Sequence, residues 1–140
     1  MRCCYDKPMN DILVPISPGE LLDKITILRI KCARIEDAAK LTNVRLELSR
    51  LQRSREACLP ADADADIAAE EAALERVNSE LWDIEDRIRE HEAQRRFDAA
   101  FIELARAVYL RNDERAAIKR RINLKLDSAL VEEKSYRPYR

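Results

Sequence analysis

Ile16-Ser17-Pro18-Gly19-Glu20-Leu21 opens the first helix of this chain, and the apolar seam behind it decides the fold class. Ser17 is an N-cap residue, and Pro18 suits the first helical position, where its missing N–H costs nothing. Glu20 stands at N3, from which its carboxylate can reach back to the amide of the cap, while Ile16 and Leu21 form a hydrophobic staple across it. Leu21, Ile25, Leu28, Cys32 and Ile35 then follow at intervals of four and three, a coiled-coil-like alternation that puts all five on one helix face.

The same period recurs three more times. Asp37 caps a second helix with the seam Leu41, Val44, Leu48, Leu51 and Cys58, interrupted by Arg55 and ended at Leu59-Pro60. Ala61-Asp62-Ala63-Asp64-Ala65 reads as an acidic connector, with Asp66 as the next cap. A third helix is expected from about residue 67 to 96, with Ile67, Leu74, Val77, Leu81, Ile84 and Ile88 on its seam and His91 at the following register. Asp98 caps a fourth, bearing Phe101, Leu104, Val108, Ile118 and Ile122. Its seam is broken at Arg111 and Arg115, which marks a kink or a helix boundary. No stretch alternates with the period of a strand.

Four amphipathic helices with short connectors predict an all-α antiparallel bundle of about four helices. At 1.5 Å per residue the third helix spans roughly 45 Å against roughly 27 Å for the first. The third and fourth therefore form a long hairpin that outruns the bundle or is covered by a second copy. The expected organisation is a disordered tail over residues 1–11, one bundle domain over 12–126 and an irregular C-terminal tail over 127–140.

Composition narrows the function classes. The 140 residues include 26 basic and 27 acidic side chains, for a formal net charge of −1, with 46% apolar and 38% charged residues. A nucleic-acid binder carries a strong basic excess, so nucleic acid is not expected as a partner. The one basic run, Lys119-Arg120-Arg121 with Lys125, reads mainly as a solvated face. No segment reaches the roughly 20 apolar residues of a membrane span. The four cysteines, Cys3, Cys4, Cys32 and Cys58, show no metal-ligand spacing and read as reduced thiols of a cytoplasmic protein. With Gly19 the only glycine, no phosphate-cradling loop or nucleophile elbow can be assembled. One histidine, His91, excludes the paired Glu-x-x-His motifs of di-iron bundles. No cofactor and no metal site is expected.

The residues that could carry chemistry lie beside the seams. Asn78, Trp82, Glu85 and Arg89 form a stripe on the third helix; Tyr109, Asn112, Ala116, Lys119 and Asn123 form one on the fourth, with Arg115 adjacent. Glu20, Asp23 and Lys24 share the first turns of the first helix. Facing inward, these stripes either tie the helices in one register or line a pocket. In a pocket Arg89, Arg115 and Lys119 hold an anion, Asn112 and Asn123 orient it, and Glu85 or Asp23 serves as acid or base, with Trp82 and Lys24 the remaining candidate ligand-binding residues. The free amides at Gly19 and Glu20 could also receive an anion, but the Glu20 carboxylate already competes for that position.

Val14-Pro15-Ile16-Ser17-Pro18-Gly19-Glu20-Leu21-Leu22-Asp23-Lys24, Leu81-Trp82-Asp83-Ile84-Glu85-Asp86, the run over residues 112–123 and Glu132-Glu133-Lys134-Ser135-Tyr136 resemble an uncharacterised bacterial family of small helical proteins, a domain of unknown function. The resemblance spans about residues 12–59 and 74–136. It implies a stand-alone helical protein whose ordered part begins near Ile12 and whose C-terminal tail packs, and it carries no activity. Two looser likenesses suggest ligands. Arg89, Arg115, Lys119 and Glu85 are the residue types with which helical chorismate mutases hold a dicarboxylate, although residues 74–96 depart from that family's first-helix pattern. Glu80/Asp83 and Asp83/Asp86 resemble the magnesium-holding carboxylates of bundle-type nucleotide pyrophosphohydrolases, without their double-Glu repeat. The leading expectation is a non-enzymatic helical interaction or assembly protein, a homodimer open to a protein partner. The alternative is a small enzyme or binding protein for an anionic metabolite.

Overall fold

The computed structural model describes residues 10–139, so the expected N-terminal tail with Cys3 and Cys4 lies almost wholly outside the described residues. Four helices follow in order: α1 (Pro18–Arg34), α2 (Ala38–Cys58), α3 (Ala63–Ala93) and α4 (Ala99–Lys125). Three of the expected caps are in place. Ser17 Oγ accepts from Glu20 N at 3.2 Å, Asp37 Oδ1 from Lys40 N at 2.8 Å, and Asp98 Oδ1 from Phe101 N at 3.1 Å. The reciprocal half of the first cap is put to another use, because the Glu20 carboxylate turns to Lys119.

Three boundaries differ from expectation. The acidic connector is mostly helix: α3 starts at Ala63, since alanine favours helix and Asp64 and Asp66 suit a positive helix N-terminus. At its other end α3 stops at Ala93 rather than near residue 96, where Arg95 turns out of the helix with a φ of 52°. The fourth helix runs unbroken through Arg111 and Arg115. Those arginines end the apolar seam without ending the helix, because both are good helix formers and their guanidinium groups find partners outside it.

The bundle runs up, down, up, down. Lys125 reaches Glu70 on α3 at 3.0 Å, while Arg111 reaches Glu80 at 2.6 Å. Rising positions on α3 thus meet falling positions on α4, and the two are antiparallel. The core is built by α1, α3 and α4 from Leu22, Ile67, Leu74, Val77, Leu81, Ile118 and Ile122. Among the described residues the buried apolar set is wholly aliphatic, with no Trp, Tyr or Phe in it. Among the helices, α2 packs its backbone on α1 alone, and its one buried residue is Val44. Arg55, the residue that interrupts its seam, fastens its far end to α3 by bonding Glu71 at 2.6 and 2.9 Å. Glu71 also accepts from Arg29 of α1 at 2.9 Å.

With 31 residues against 17, α3 outruns α1 by about 20 Å. Beyond Asp83, which pairs with Arg34 at the end of α1, the α3–α4 hairpin extends on its own. His91 is buried near its tip, where it bonds the carbonyl of Arg96 at 2.9 Å and lies against Phe101.

Candidate functional site

The site begins at Gly19. Helix α1 comes so close to α4 that a Cβ at this position would stand 2.5 Å from the Lys119 carbonyl oxygen and 2.9 Å from Asn123 Oδ1. The space is used for a buried hydrogen bond, in which Gly19 N donates to Asn123 Oδ1 at 2.8 Å. This satisfies one of the amides that every helix N-terminus leaves open.

One turn further, Asn78 of α3 ties the three core helices together. Its Nδ2 donates to Asp23 Oδ1 at 2.9 Å and to Thr26 Oγ1 at 3.0 Å, while its Oδ1 accepts from Arg115 Nη1 at 3.3 Å. Thr26 in turn donates to the Asp23 carbonyl at 2.8 Å. Asp23, Thr26 and Asn78 are all buried, and each has its partners, as buried polar groups require.

Lys119 is held by three carboxylates, with Nζ at 2.5 Å from Glu20, 3.2 Å from Glu132 and 3.9 Å from Asp23. Burial works against its charge, but the bond to Glu20 with Asp23 and Glu132 alongside outweighs that, and its pKa is raised. Glu132 is held below the usual carboxylate range by the same ammonium. It belongs to the irregular segment after α4, which doubles back along that helix. There Glu133 reaches Arg120 at 2.9 Å and the Tyr139 hydroxyl donates to Asp113 at 2.5 Å.

Outside this network lies a groove of about 490 Å³ between α1, α3 and α4, lined by Ile27, Asn78, Leu81, Trp82, Glu85, Asp86, Arg89, Asn112 and Arg115. The Arg34 guanidinium lies 5.8 Å from the centre of the Trp82 ring, and Arg89 pairs with Glu85 at 2.6 Å. Arg115 differs from its neighbours. It is half-buried, its one hydrogen bond is to Asn78, and among the described residues no carboxylate stands within ion-pairing distance of it. A second cleft, of about 610 Å³, adjoins on the other side of Arg115 and Asn112. Its walls are Val108, Tyr109 and Asp113 of α4 and Lys134, Tyr136 and Tyr139 of the returning tail.

The nine residues singled out by sequence thus separate. Trp82, Glu85, Arg89, Asn112 and Arg115 meet in the groove. Asp23, Lys119 and Asn123 lie behind it, occupied by the network that fixes the helices. Lys24 is exposed on the surface of α1, 3.7 Å from Glu20. Of the carboxylates considered for magnesium, Glu80 is engaged with Arg76 and Arg111 and Asp83 with Arg34, while Asp86 lines the groove. Among the described residues no group of three His, Cys, Asp or Glu side chains is placed to hold a metal. The sequence reading missed Thr26 and Glu132, and it left out the tail wall of Lys134, Tyr136 and Tyr139. The available signal was compositional: an aromatic-poor chain that leaves its tyrosines off every apolar seam.

An arginine without a carboxylate presents a planar fork of donors that matches a carboxylate or phosphate in two parallel bonds. Comparison with curated proteins and with solved structures gives no match. A family model, described as a family of unknown function (DUF6165), matches residues 12–139, and the chain belongs to that family.

Proposed function

We infer that this protein binds a small anionic ligand in the groove between α1, α3 and α4. The reading is carried by the half-buried Arg115 guanidinium, which faces the groove beside the chain's only tryptophan with no acidic partner among the described residues. Partly burying a cation unpaired is unfavourable, and an incoming carboxylate or phosphate relieves that cost. Asn78 holds the guanidinium from behind, so its outward donors are oriented before a ligand arrives. Arg89 and Asn112 stand within the same groove to complete the anion's contacts.

Thermal shift against phosphorylated and dicarboxylate metabolites tests this. A ligand at a hundred times its Kd adds about 2.7 kcal/mol of stability, a melting rise on the order of 10 °C for a chain of this size. Arg115→Gln is expected to abolish the rise. If no anion in the panel shifts the wild-type protein, the binding reading fails.

A second reading rests on a different observation. Ile12, Leu13 and Val14 are 76%, 92% and 65% exposed, and Ile12 and Leu13 line one cleft with Leu46 of α2, itself 53% exposed. Exposed apolar side chains gathered within a polar surround mark an interaction site. We infer that a second copy covers it, giving a homodimer. Light scattering at micromolar concentration is expected to return twice the chain mass, and a monomer mass overturns it.

A further inference from the structure

We propose that the ligand of the Arg115 groove is an anion that carries a planar aromatic ring, with the ring seated in the adjoining tyrosine-lined cleft. This rests on the anion-binding reading above and specifies the ligand further.

Among the described residues the chain keeps its aromatic side chains out of the buried core. It has one Trp, four Tyr and two Phe in all. Three of the four tyrosines, Tyr109, Tyr136 and Tyr139, line the cleft on one side of Arg115, and Trp82 lines the groove on the other. A helical protein normally spends aromatic side chains on the core, where each buries a large apolar area. Here Trp82 and these three tyrosines remain partly open to solvent around one cation, while the two phenylalanines meet each other beside His91 at the hairpin tip. Tyr109 and Tyr136 are 42% and 74% exposed, leaving ring surface free for a further aromatic group.

The rings are also held in place. Tyr109 and Tyr139 meet edge to face with centroids 5.1 Å apart, and Asp113 fixes the Tyr139 hydroxyl. The Lys134 ammonium, itself 3.4 Å from Glu132, lies 5.8 Å from the Tyr136 centroid at the rim of the same cleft. Arg115 and Asn112 line both spaces, so one ligand can place its charge on the guanidinium and its ring among the tyrosines. The matching class is an aromatic phosphate or carboxylate, such as a phenyl phosphate or a nucleoside monophosphate. Aromatic stacking tolerates many ring systems, so the geometry selects the class and leaves the ring open.

Isothermal titration of the full chain tests this with five probes: inorganic phosphate, ribose 5-phosphate, phenyl phosphate, adenosine monophosphate and adenosine. Phenyl phosphate and adenosine monophosphate are expected to bind at least tenfold more tightly than inorganic phosphate or ribose 5-phosphate, with uncharged adenosine weakest. Tyr109→Leu and Tyr136→Ala are each expected to remove about tenfold from the two ring-bearing anions while leaving inorganic phosphate unchanged. That retained phosphate binding also shows that the variants fold. Equal affinity for all four anions, or no effect of either tyrosine change, overturns the aromatic assignment and leaves anion binding standing. Failure of all four anions here, together with the dicarboxylates of the thermal-shift panel, overturns both.

Discussion

At Gly19 the useful property is a missing atom. No glycine among the described residues has a positive φ, so backbone freedom is not what this position supplies. What it supplies is room for the Lys119 carbonyl, which a methyl group would meet at 2.5 Å. Gly19→Ala is expected to cost about 2–3 kcal/mol, because neither backbone can give way without disturbing the core. Urea denaturation measures it, and a cost below about 0.5 kcal/mol would show that the helices are not locked there. The two positions that do adopt a left-handed conformation, Arg95 at φ 52° and Asp127 at φ 50°, are not glycine. Left-handed backbone costs an ordinary residue roughly 1–2 kcal/mol, while glycine loses roughly 0.5–1 kcal/mol through its greater freedom when unfolded. Arg95→Gly is therefore expected to raise stability by about 0.5–1 kcal/mol, read as a higher melting temperature.

Among the elements, α2 and the outer half of the α3–α4 hairpin hold on by the least. Helix α2 buries one residue, and its far end depends on Arg55 and Glu71. Beyond Asp83 the hairpin has only its own two helices to bury Ile84, Ile88, Leu104 and His91. Native-state hydrogen exchange is expected to open these two regions before the segments around Leu74–Val77 and Ile118–Ile122, whose side chains form the core. Glu71→Ala leaves Arg55 and Arg29 without their shared acceptor, and hydrogen bonds to charged groups contribute about 1.5–3 kcal/mol. Faster exchange confined mainly to α2 is the expected result. Uniformly faster exchange would mean that α2 unfolds with the core instead.

For the whole molecule, the ion pairs set the response to pH. Lys125 holds Glu70 below the ordinary carboxylate value of 4.5, Arg76 does the same for Glu114, and Lys119 for Glu132. Each is ionised in the folded state at a pH where the unfolded chain has begun to take up a proton. Their contribution is therefore complete above about pH 4.5 and is lost as pH falls through their lower folded values. Lys119 acts at the other end, since its raised pKa stabilises the fold below the ordinary lysine value of 10.5, and this is lost as pH rises through the folded value. Melting temperature against pH is expected to be flat near neutrality and to fall below about pH 4.5. Glu132→Gln should flatten part of that acid fall; an unchanged profile would separate the returning tail from stability.

Helix existence, period and three of the caps were legible from residues alone, because a helix is written in contacts three and four positions apart. The start of α3 was less legible, because Ala-Asp repeats suit a connector and a first turn alike. The polar stripes were legible as stripes, and here local reading stopped. Arg115 and Lys119 stand one turn apart on the same helix, each a cation beside an apolar seam, and nothing in their spacing separates them. Tertiary packing brings Glu20 and Asp23 from α1 and Glu132 from the returning tail to Lys119, and brings only an amide to Arg115. One cation becomes a fastening and the other stays open to the groove. The reason is physical: the free energy of a charge depends on what surrounds it in space, and those neighbours come from chain segments up to 99 positions away.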